Sequence, residues 1–399
     1  MGSPFTILQI IPALDAGGAE RTTVEITKAI TDVGGRALVA TGGGRLADRV
    51  RAAKGEIIEL PVGSKNPLTI VQNSRRIAAI VADQGVDILH VRSRAPAWSA
   101  RWAANRVGVP LVATYHGAYK AGNWAKKFYN SGLLKADIVI ANSTFTAQSI
   151  SKQYRVSSDK ITTIPRGADI DHFDPQVISQ ERRQSLVASW QLETIDPDTL
   201  RLLMPGRLTS WKGQLDVVEA LGILLKRGVI PANTSHFDAG QTPKIQLVLC
   251  GDAQGRAGYE QTLRDQINQC GVGSMTKIVG HCADMPAAYG WADAVIAPSR
   301  RPEAFGRVPV EAGAMETPVI AAAHGGALET VIDGQTGWLV PPESPENLAD
   351  AVEKIVTMPG ADRQKMGAAA RAHVIENFSI NGMCEATLGV YNQLMRRVQ

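Results

Sequence analysis

Cysteine is scarce: four residues in 399, at positions 250, 270, 282 and 384, and no two stand in a C-x-x-C spacing. That removes a C-x-x-C redox or metal motif and argues for buried free thiols in a reducing compartment. Long apolar runs are missing too, so no segment has the length to cross a bilayer as a helix. The opening stretch FTILQIIPAL lacks a basic flank and a cleavage site, so it reads as a buried strand and not as a signal peptide. No strand is followed by G-x-G-x-x-G, which disfavours a nicotinamide cofactor. Asp169-x-Asp171 has a formal metal-binding spacing. It lies at a turn with no other ligand nearby in sequence, so no metal is expected there. Tandem repeats and low-complexity tracts are absent. MGSPFT matches the N-myristoylation pattern at Gly2 and Thr6, although Gly-Ser after Met is equally what a fusion scar leaves.

What remains is an ordinary globular composition, 44% hydrophobic and 20% charged. The length exceeds what one core supports, so two domains are expected. Charge divides unevenly: residues 1–180 carry 22 Lys and Arg against 14 Asp and Glu, a net of +8, and residues 181–399 carry 20 against 24, a net of −4. A basic first half suits an anionic partner, phosphate groups or a membrane surface, and equally a solvated basic face.

Short apolar segments alternate with helical stretches. FTILQII, RALVAT, DILHV, PLVATYH, ADIVIANS and KITTIP form one series. A polar break follows near Asp174 (DPQVISQERRQ), and a second series runs LRLLMPG, KIQLVLCG, KIVGH, DAVIAPS and PVIAA. Strands alternating with helices predict parallel, doubly wound sheets. The pattern occurs twice, which predicts an α/β protein of two Rossmann-like domains facing a cleft, at 1–180 and 195–380. An amphipathic last helix from about Ile380 to Arg397 is expected to pack back across the domains. Ligands in such sheets bind at the carboxyl ends of the strands.

The chemistry is sought there. In LLMPGRLTSWKG, Gly206 ends a strand, and Arg207 and Lys212 lie in the next loop. A guanidinium fork and an ammonium suit a diphosphate, though the two would serve as well as solvated loop cations. RPEAFGRVPVEAGAME places Glu303 in a loop and Glu311 near a helix start. Pro309 suits the first turn, the helix is expected over Val310–Glu316, Thr317-Pro318 stops it, and amides from Phe305 to Val308 point ahead of it as an anion site. Glu311 would also suit that position merely by complementing the helix dipole. Gly17-Gly18 opens a helix near Ala19, where backbone can approach a ligand. TGGGRL at 41–46 reads as a turn. His116 follows a strand, where an imidazole can donate to a sugar or phosphate or simply be structural. Asn142 and Ser143 read as a helix cap.

These residues together resemble glycosyltransferase family 4 with the GT-B fold. GRLTSWKG, EAFGRVPVE and PVIAAAHGGALETVIDGQTGWLVPP carry the resemblance most strongly, with GGAE, HG, ANS and IPRGAD as first-half counterparts. The resemblance implies a retaining, metal-independent transferase that uses a UDP-, GDP- or ADP-sugar. Arg207 and Lys212 would hold the donor diphosphate, Glu311 the ribose, and Glu303 the transferred sugar. Phe305, Gly306 and Arg307 would offer backbone amides. The nucleobase would sit near His281 and Cys282. Gly17 and Gly18 would face phosphates or acceptor, and His116 the sugar. Where related chains often carry Asn in IPRG this chain has Arg166, which suits a charged acceptor.

The acceptor implied is a glycan or a lipid-linked molecule of the bacterial envelope, as in lipopolysaccharide synthesis, and nucleic acid is not an expected partner. The stretch Tyr119–Lys135 mixes aromatics with lysines and resembles a surface that docks on an anionic membrane, or else a helix that turns its aromatics into the core. The enzyme would then be cytoplasmic, peripheral on the inner face of the membrane. An epimerase or hydrolase on the same fold, or a catalytically silent glycan-binding protein, are the alternatives.

Overall fold

A computed structural model describes residues 5–15, 17–117, 119, 123–192, 199–231, 245–255 and 257–398. Gly2 of the acylation pattern, Lys120 of the aromatic–lysine stretch and the expected domain start at 195 lie outside the described residues. The chain divides into two compact units, Met1–Gly167 with Ile380–Gln399, and Ala168–Ser379.

The first unit holds seven strands: β1 (Thr6–Ile10), β2 (Arg36–Thr41), β3 (Glu56–Glu59), β4 (Ile88–Val91), β5 (Leu111–Tyr115), β6 (Ile138–Ala141) and β7 (Ile161–Thr163). All pair in parallel in the order β3-β2-β1-β4-β5-β6-β7. Helices cover both faces, so the central strands read as continuous apolar runs and are buried throughout. Connections leave β1 toward β2 on one side, and the chain later returns through β4 on the other. The β1/β4 ends are therefore the topological switch point where such sheets bind ligands. The last helix, Ile380–Val398, belongs to this unit and buries Met383, Val390, Tyr391 and Leu394 with Ile7, Ile26 and Ile88.

The second unit holds β8 (Leu200–Pro205), β9 (Ile245–Cys250), β10 (Thr276–Gly280), β11 (Ala294–Ala297), β12 (Val319–Ala322) and β13 (Gly337–Val340), again parallel, in the order β10-β9-β8-β11-β12-β13. Residues 168–178 run with it: Ala168 N–H donates to the Phe378 carbonyl at 2.8 Å, and Arg371 donates to the Phe173 carbonyl at 2.9 Å.

The structure corrects several expectations. β3 and β13 carry no reading in the strand series above. Both are four-residue edge strands, too short for a clear period. The polar break holds a helix, Gln180–Ser189, capped by Ser179 and fixed by a two-pronged Arg182–Asp284 ion pair at 2.7 Å. The helix expected over Val310–Glu316 spans Arg307–Ala314 instead. Gly306, at φ +77°, turns the chain into it directly, and Glu316, at φ +57°, has already left it. Glu311 therefore stands in the second turn, one turn deeper than the sequence suggested, which removes it from the strongest part of the dipole.

Candidate active site

In the second unit, the segments after β8 and β11 bring the first cluster together. Lys212 lies at the end of a short 3₁₀ turn, Ser210–Lys212. Its Nζ donates to Glu303 Oε1 at 2.7 Å, and Ser299 Oγ donates to the same oxygen at 2.5 Å. The pair is largely screened from solvent, so its charges act at shorter effective dielectric than a surface pair would. Arg207 is exposed. The loop that carries both cations is braced from beneath. Gln214 Nε2 donates to the Arg207 carbonyl at 3.0 Å, and Tyr259 supports Gln214 at 3.0 Å. Arg300 grips buried Asp216 through two bonds, at 2.9 and 2.5 Å.

The Glu303 loop depends on two glycines that follow β12. A Cβ on Gly325 would meet the Glu303 carbonyl oxygen at 2.5 Å, and one on Gly326 would meet the Phe305 carbonyl oxygen at 2.2 Å. Their bare backbones let Gly326 N–H donate to the Glu303 carbonyl at 2.9 Å. His324 Nε2 bonds the Ser299 carbonyl at 2.7 Å, which fixes the segment from which the Ser299 hydroxyl reaches Glu303. Phe305 is buried and anchors the turn.

Glu311 is held separately. Tyr289 hydroxyl donates to Oε2 and Arg307 Nε to Oε1, both at 3.0 Å. Tyr289 is fully buried, and burial followed by the adjacent carboxylate raises its phenol well above the ordinary range, so it remains a proton donor. The N-cap Gly306 has no side chain to bond the helix's first amides, and amides at a helix start suit an anion. At the expected nucleobase position His281 is exposed, whereas Cys282 is buried. All four cysteines are free.

In the first unit a second cluster sits at strand ends. Arg166 Nη2 is 2.9 Å from His116 Nδ1. A guanidinium can only donate, so Nδ1 accepts and the imidazole carries its proton on Nε2. Burial, then the charges of Arg166 and Arg92, hold the His116 pKa well below its usual value. His116 Nε2 is buried without a partner among the described residues. It is thus a neutral imidazole with one N–H to offer.

Arg166 also lies across the helix Gly18–Asp32, where a Cβ on Gly18 would strike its Nη1 at 2.4 Å. The Glu20 carboxylate folds over Gly17, at 2.2 Å from where a Cβ would stand. An acid in the first turn is favourable at a helix N-terminus. Ser143 caps the helix Thr144–Tyr154 through the Thr146 amide at 3.0 Å, so the ANS segment is a helix start. In the aromatic–lysine stretch Leu133 and Leu134 enter the core, while Trp124 is 82% and Phe128 60% exposed.

Sequence reasoning missed Ser299, Tyr289, His324 and the Gly325–Gly326 cradle as site-builders. It also missed Arg92, which is buried after β4, and His90, which bonds Tyr391 hydroxyl at 2.5 Å and Thr114 at 2.7 Å. The glycine pair after an apolar strand was the available signal.

Comparison with known proteins decides the family. A model described as Glycosyltransferase Family 4 matches residues 16–172, and one described as Glycosyl transferases group 1 matches residues 191–373. A D-inositol 3-phosphate glycosyltransferase of Actinosynnema mirum is 30% identical over 314 residues, covering 74% of this chain and 69% of that protein. The crystal structure of a glycosyltransferase from Rickettsia africae superposes with a TM-score of 0.88 at 34% identity, over 99% of both chains. The chain belongs to glycosyltransferase family 4. This glycosyltransferase also shares its fold with Anabaena Alr3699/HepE, solved with UDP and glucose, at a TM-score of 0.78 and 24% identity over 98% of this chain and all of that one. The expected α/β architecture, two parallel sheets with helices on both faces, is the one observed. Among the described residues of this glycosyltransferase, no helix is long and apolar enough to cross a membrane, and no cluster of acids, histidines and cysteines has the makings of a metal site.

Proposed function

We propose that this glycosyltransferase moves a hexose from a nucleotide-sugar to a glycan or lipid-linked acceptor, with retention of anomeric configuration and without a metal. The observation that carries it is the joined set of Lys212, Ser299 and Glu303 beside an uncapped helix that bears Glu311. Lys212, Arg207 and the amides from Gly306 onward would hold the diphosphate and neutralise charge as the C1–O bond breaks. Glu303 would exchange Lys212 for hydroxyls of the sugar. Glu311, held by Tyr289 and Arg307, would take the ribose hydroxyls. In the first unit, the Nε2–H of His116 would donate to a hydroxyl of a sugar bound at those strand ends. A phosphate oxygen of the departing diphosphate would receive the acceptor's proton as its oxygen bonds C1 on the same face.

Uridine is the favoured nucleotide, because fold relatives are solved with UDP and with UDP-glucose. A cytoplasmic setting, peripheral on the membrane in envelope polysaccharide or lipopolysaccharide synthesis, fits the exposed aromatics and lysines of Trp124–Ser131.

Thermal-shift titration with UDP-, GDP- and ADP-sugars tests this reading. One UDP-sugar should raise the Tm, unaffected by EDTA, and Lys212→Ala should lower donor affinity or kcat/KM roughly 10²-fold, as expected for a charge-assisted phosphate contact of about 2–3 kcal/mol. No nucleotide giving a shift would sink the proposal.

A further inference from the structure

None of the chemistry above uses Arg166. It follows β7, His116 follows β5, and the two meet at the carboxyl ends of the strands, Nη2 to Nδ1 at 2.9 Å. In a neutral imidazole one nitrogen carries the proton and the other accepts. Which one carries it is set by the bond that the other makes. A side-chain amide beside Nδ1 could present either its carbonyl or its N–H, and a carboxylate would draw the proton to Nδ1. A guanidinium has donors only, so it leaves the ring one choice.

The guanidinium has a place made for it. Gly18 is the first residue of the helix Gly18–Asp32 and does not adopt the left-handed φ that favours glycine. Conformation therefore does not call for a glycine there, but space does: a Cβ would meet Nη1 of Arg166. A second cation acts on the same ring. Arg92, after β4, is 2% exposed, and its charge opposes a proton on His116 as that of Arg166 does. The other titratable groups beside the ring are His90, kept neutral by burial, and Tyr119, whose phenol burial pushes up. Neither adds a negative charge, so an imidazolium would stand as a further cation beside two guanidiniums.

We propose that Arg166 is a positioning residue for sugar transfer: it acts through His116, pinning the imidazole proton on Nε2 so that the ring meets a sugar hydroxyl as a neutral N–H donor. The donor role of His116 rests on the transferase reading above; the pinned tautomer does not. The charged acceptor that Arg166 suits by sequence is a different role. Removing an acceptor contact would leave the imidazole as it was, whereas removing an orienting bond changes the ring itself.

Nitrogen–proton correlation spectra of the imidazoles in the full chain test this, with His116 assigned by the signals lost in His116→Gln. In wild type, His116 should carry its proton on Nε2, with Nδ1 bare, from about pH 8 to about pH 5.5, across the ordinary histidine range. Arg166→Met keeps a long side chain without donor or charge. The ring should then populate both tautomers and its pKa should rise. Arg166→Glu should go further, moving the proton to Nδ1 and lifting the pKa above that of Arg166→Met. Arg166→Lys restores a donor-only cation and should restore the wild-type ring. Gly18→Ala displaces only the far end of a flexible side chain and should shift the ring in the direction of Arg166→Met. Acceptor-free hydrolysis of UDP-glucose gives a second readout. Arg166→Met should lower kcat/KM roughly tenfold or more, as loss of a charge-assisted bond predicts. Its rate should also fall off as pH drops through the raised His116 pKa, and Arg166→Lys should recover most of the loss. A wild-type ring protonated on Nδ1, or a ring unchanged in tautomer and pKa by Arg166→Met and Arg166→Glu, overturns the inference. So does the expected ring with full hydrolysis in Arg166→Met. The expected ring in a wild type that cleaves no UDP-sugar bears out the pinned tautomer and defeats the transferase reading on which its use depends.

Discussion

At the scale of single residues, charge is legible and its partner is not. Lys212, Glu303 and Glu311 announce themselves because acids and bases at strand ends need a reason. Tyr289 does not, since an aromatic within PAAYGW reads as core. It is core, and it still delivers a hydroxyl to Glu311 from 22 positions upstream. Tyr289→Phe keeps the ring and removes the bond, leaving Arg307 alone on the carboxylate. The KM for the nucleotide-sugar should rise by a few-fold to about tenfold, the worth of one charge-assisted bond at the low end, with kcat little changed. A fall in kcat at constant KM would place Glu311 in the chemistry and not in donor binding.

A second residue-scale consequence concerns pH. Burial, reinforced by Arg92, depresses His90, and burial with Arg166 and Arg92 depresses His116. Below the unfolded pKa of about 6.5 the unfolded chain binds protons that the folded one refuses, so stability is present above that pH and is lost as pH falls. Each imidazole contributes up to about 1.4 kcal/mol per pH unit over that window. Urea midpoints of the first unit should therefore drop between pH 7.5 and 5.5. An unchanged midpoint would mean that both rings protonate in place.

At the scale of elements, the placement of a helix start decides the chemistry. The sequence analysis placed Pro309 in the helix's first turn and expected the helix from Val310. The structure starts the helix at Arg307, because Gly306 is the residue able to hold φ +77° cheaply. The Glu303 loop before it is shaped from a distance by Gly325 and Gly326: the glycine pair shows in the sequence, but the loop it cradles, some 20 residues away, does not. Gly326→Ala drives a methyl into the Phe305 carbonyl and must displace backbone. It should destabilise the second unit by about 1–3 kcal/mol, the cost of overpacking a fitted site, and lower kcat/KM through Glu303. Gly258→Ala, where a Cβ meets nothing within 4 Å inside the helix Ala257–Gln269, should be neutral or stabilising by about 0.5–1 kcal/mol. Similar effects from the two changes would refute the cradle.

At the scale of the molecule, alternation of apolar runs with helical stretches exposed both sheets, because parallel strands buried on two faces cannot hide their hydrophobicity. The edge strands β3 and β13 escaped for the converse reason: they are short, and EIIE begins and ends in charge. The last helix, expected from its amphipathic pattern to pack back, lies some 200 residues beyond Gly167 and completes the first unit. Met383, Val390, Tyr391 and Leu394 are buried there, and Tyr391 also holds His90. Four such side chains at about 1.5–3 kcal/mol each approach the whole stability of a typical domain. A chain ending at Ser379 should therefore lose the first unit and keep the second, whose contacts are internal to Ala168–Ser379. Limited proteolysis with mass spectrometry would show rapid cleavage within residues 5–167 and a surviving fragment from about 168 onward. If the first unit instead resists protease as well as in the intact chain, its core is sufficient without the helix, and the burial of Tyr391 stabilises His90 locally and not the fold.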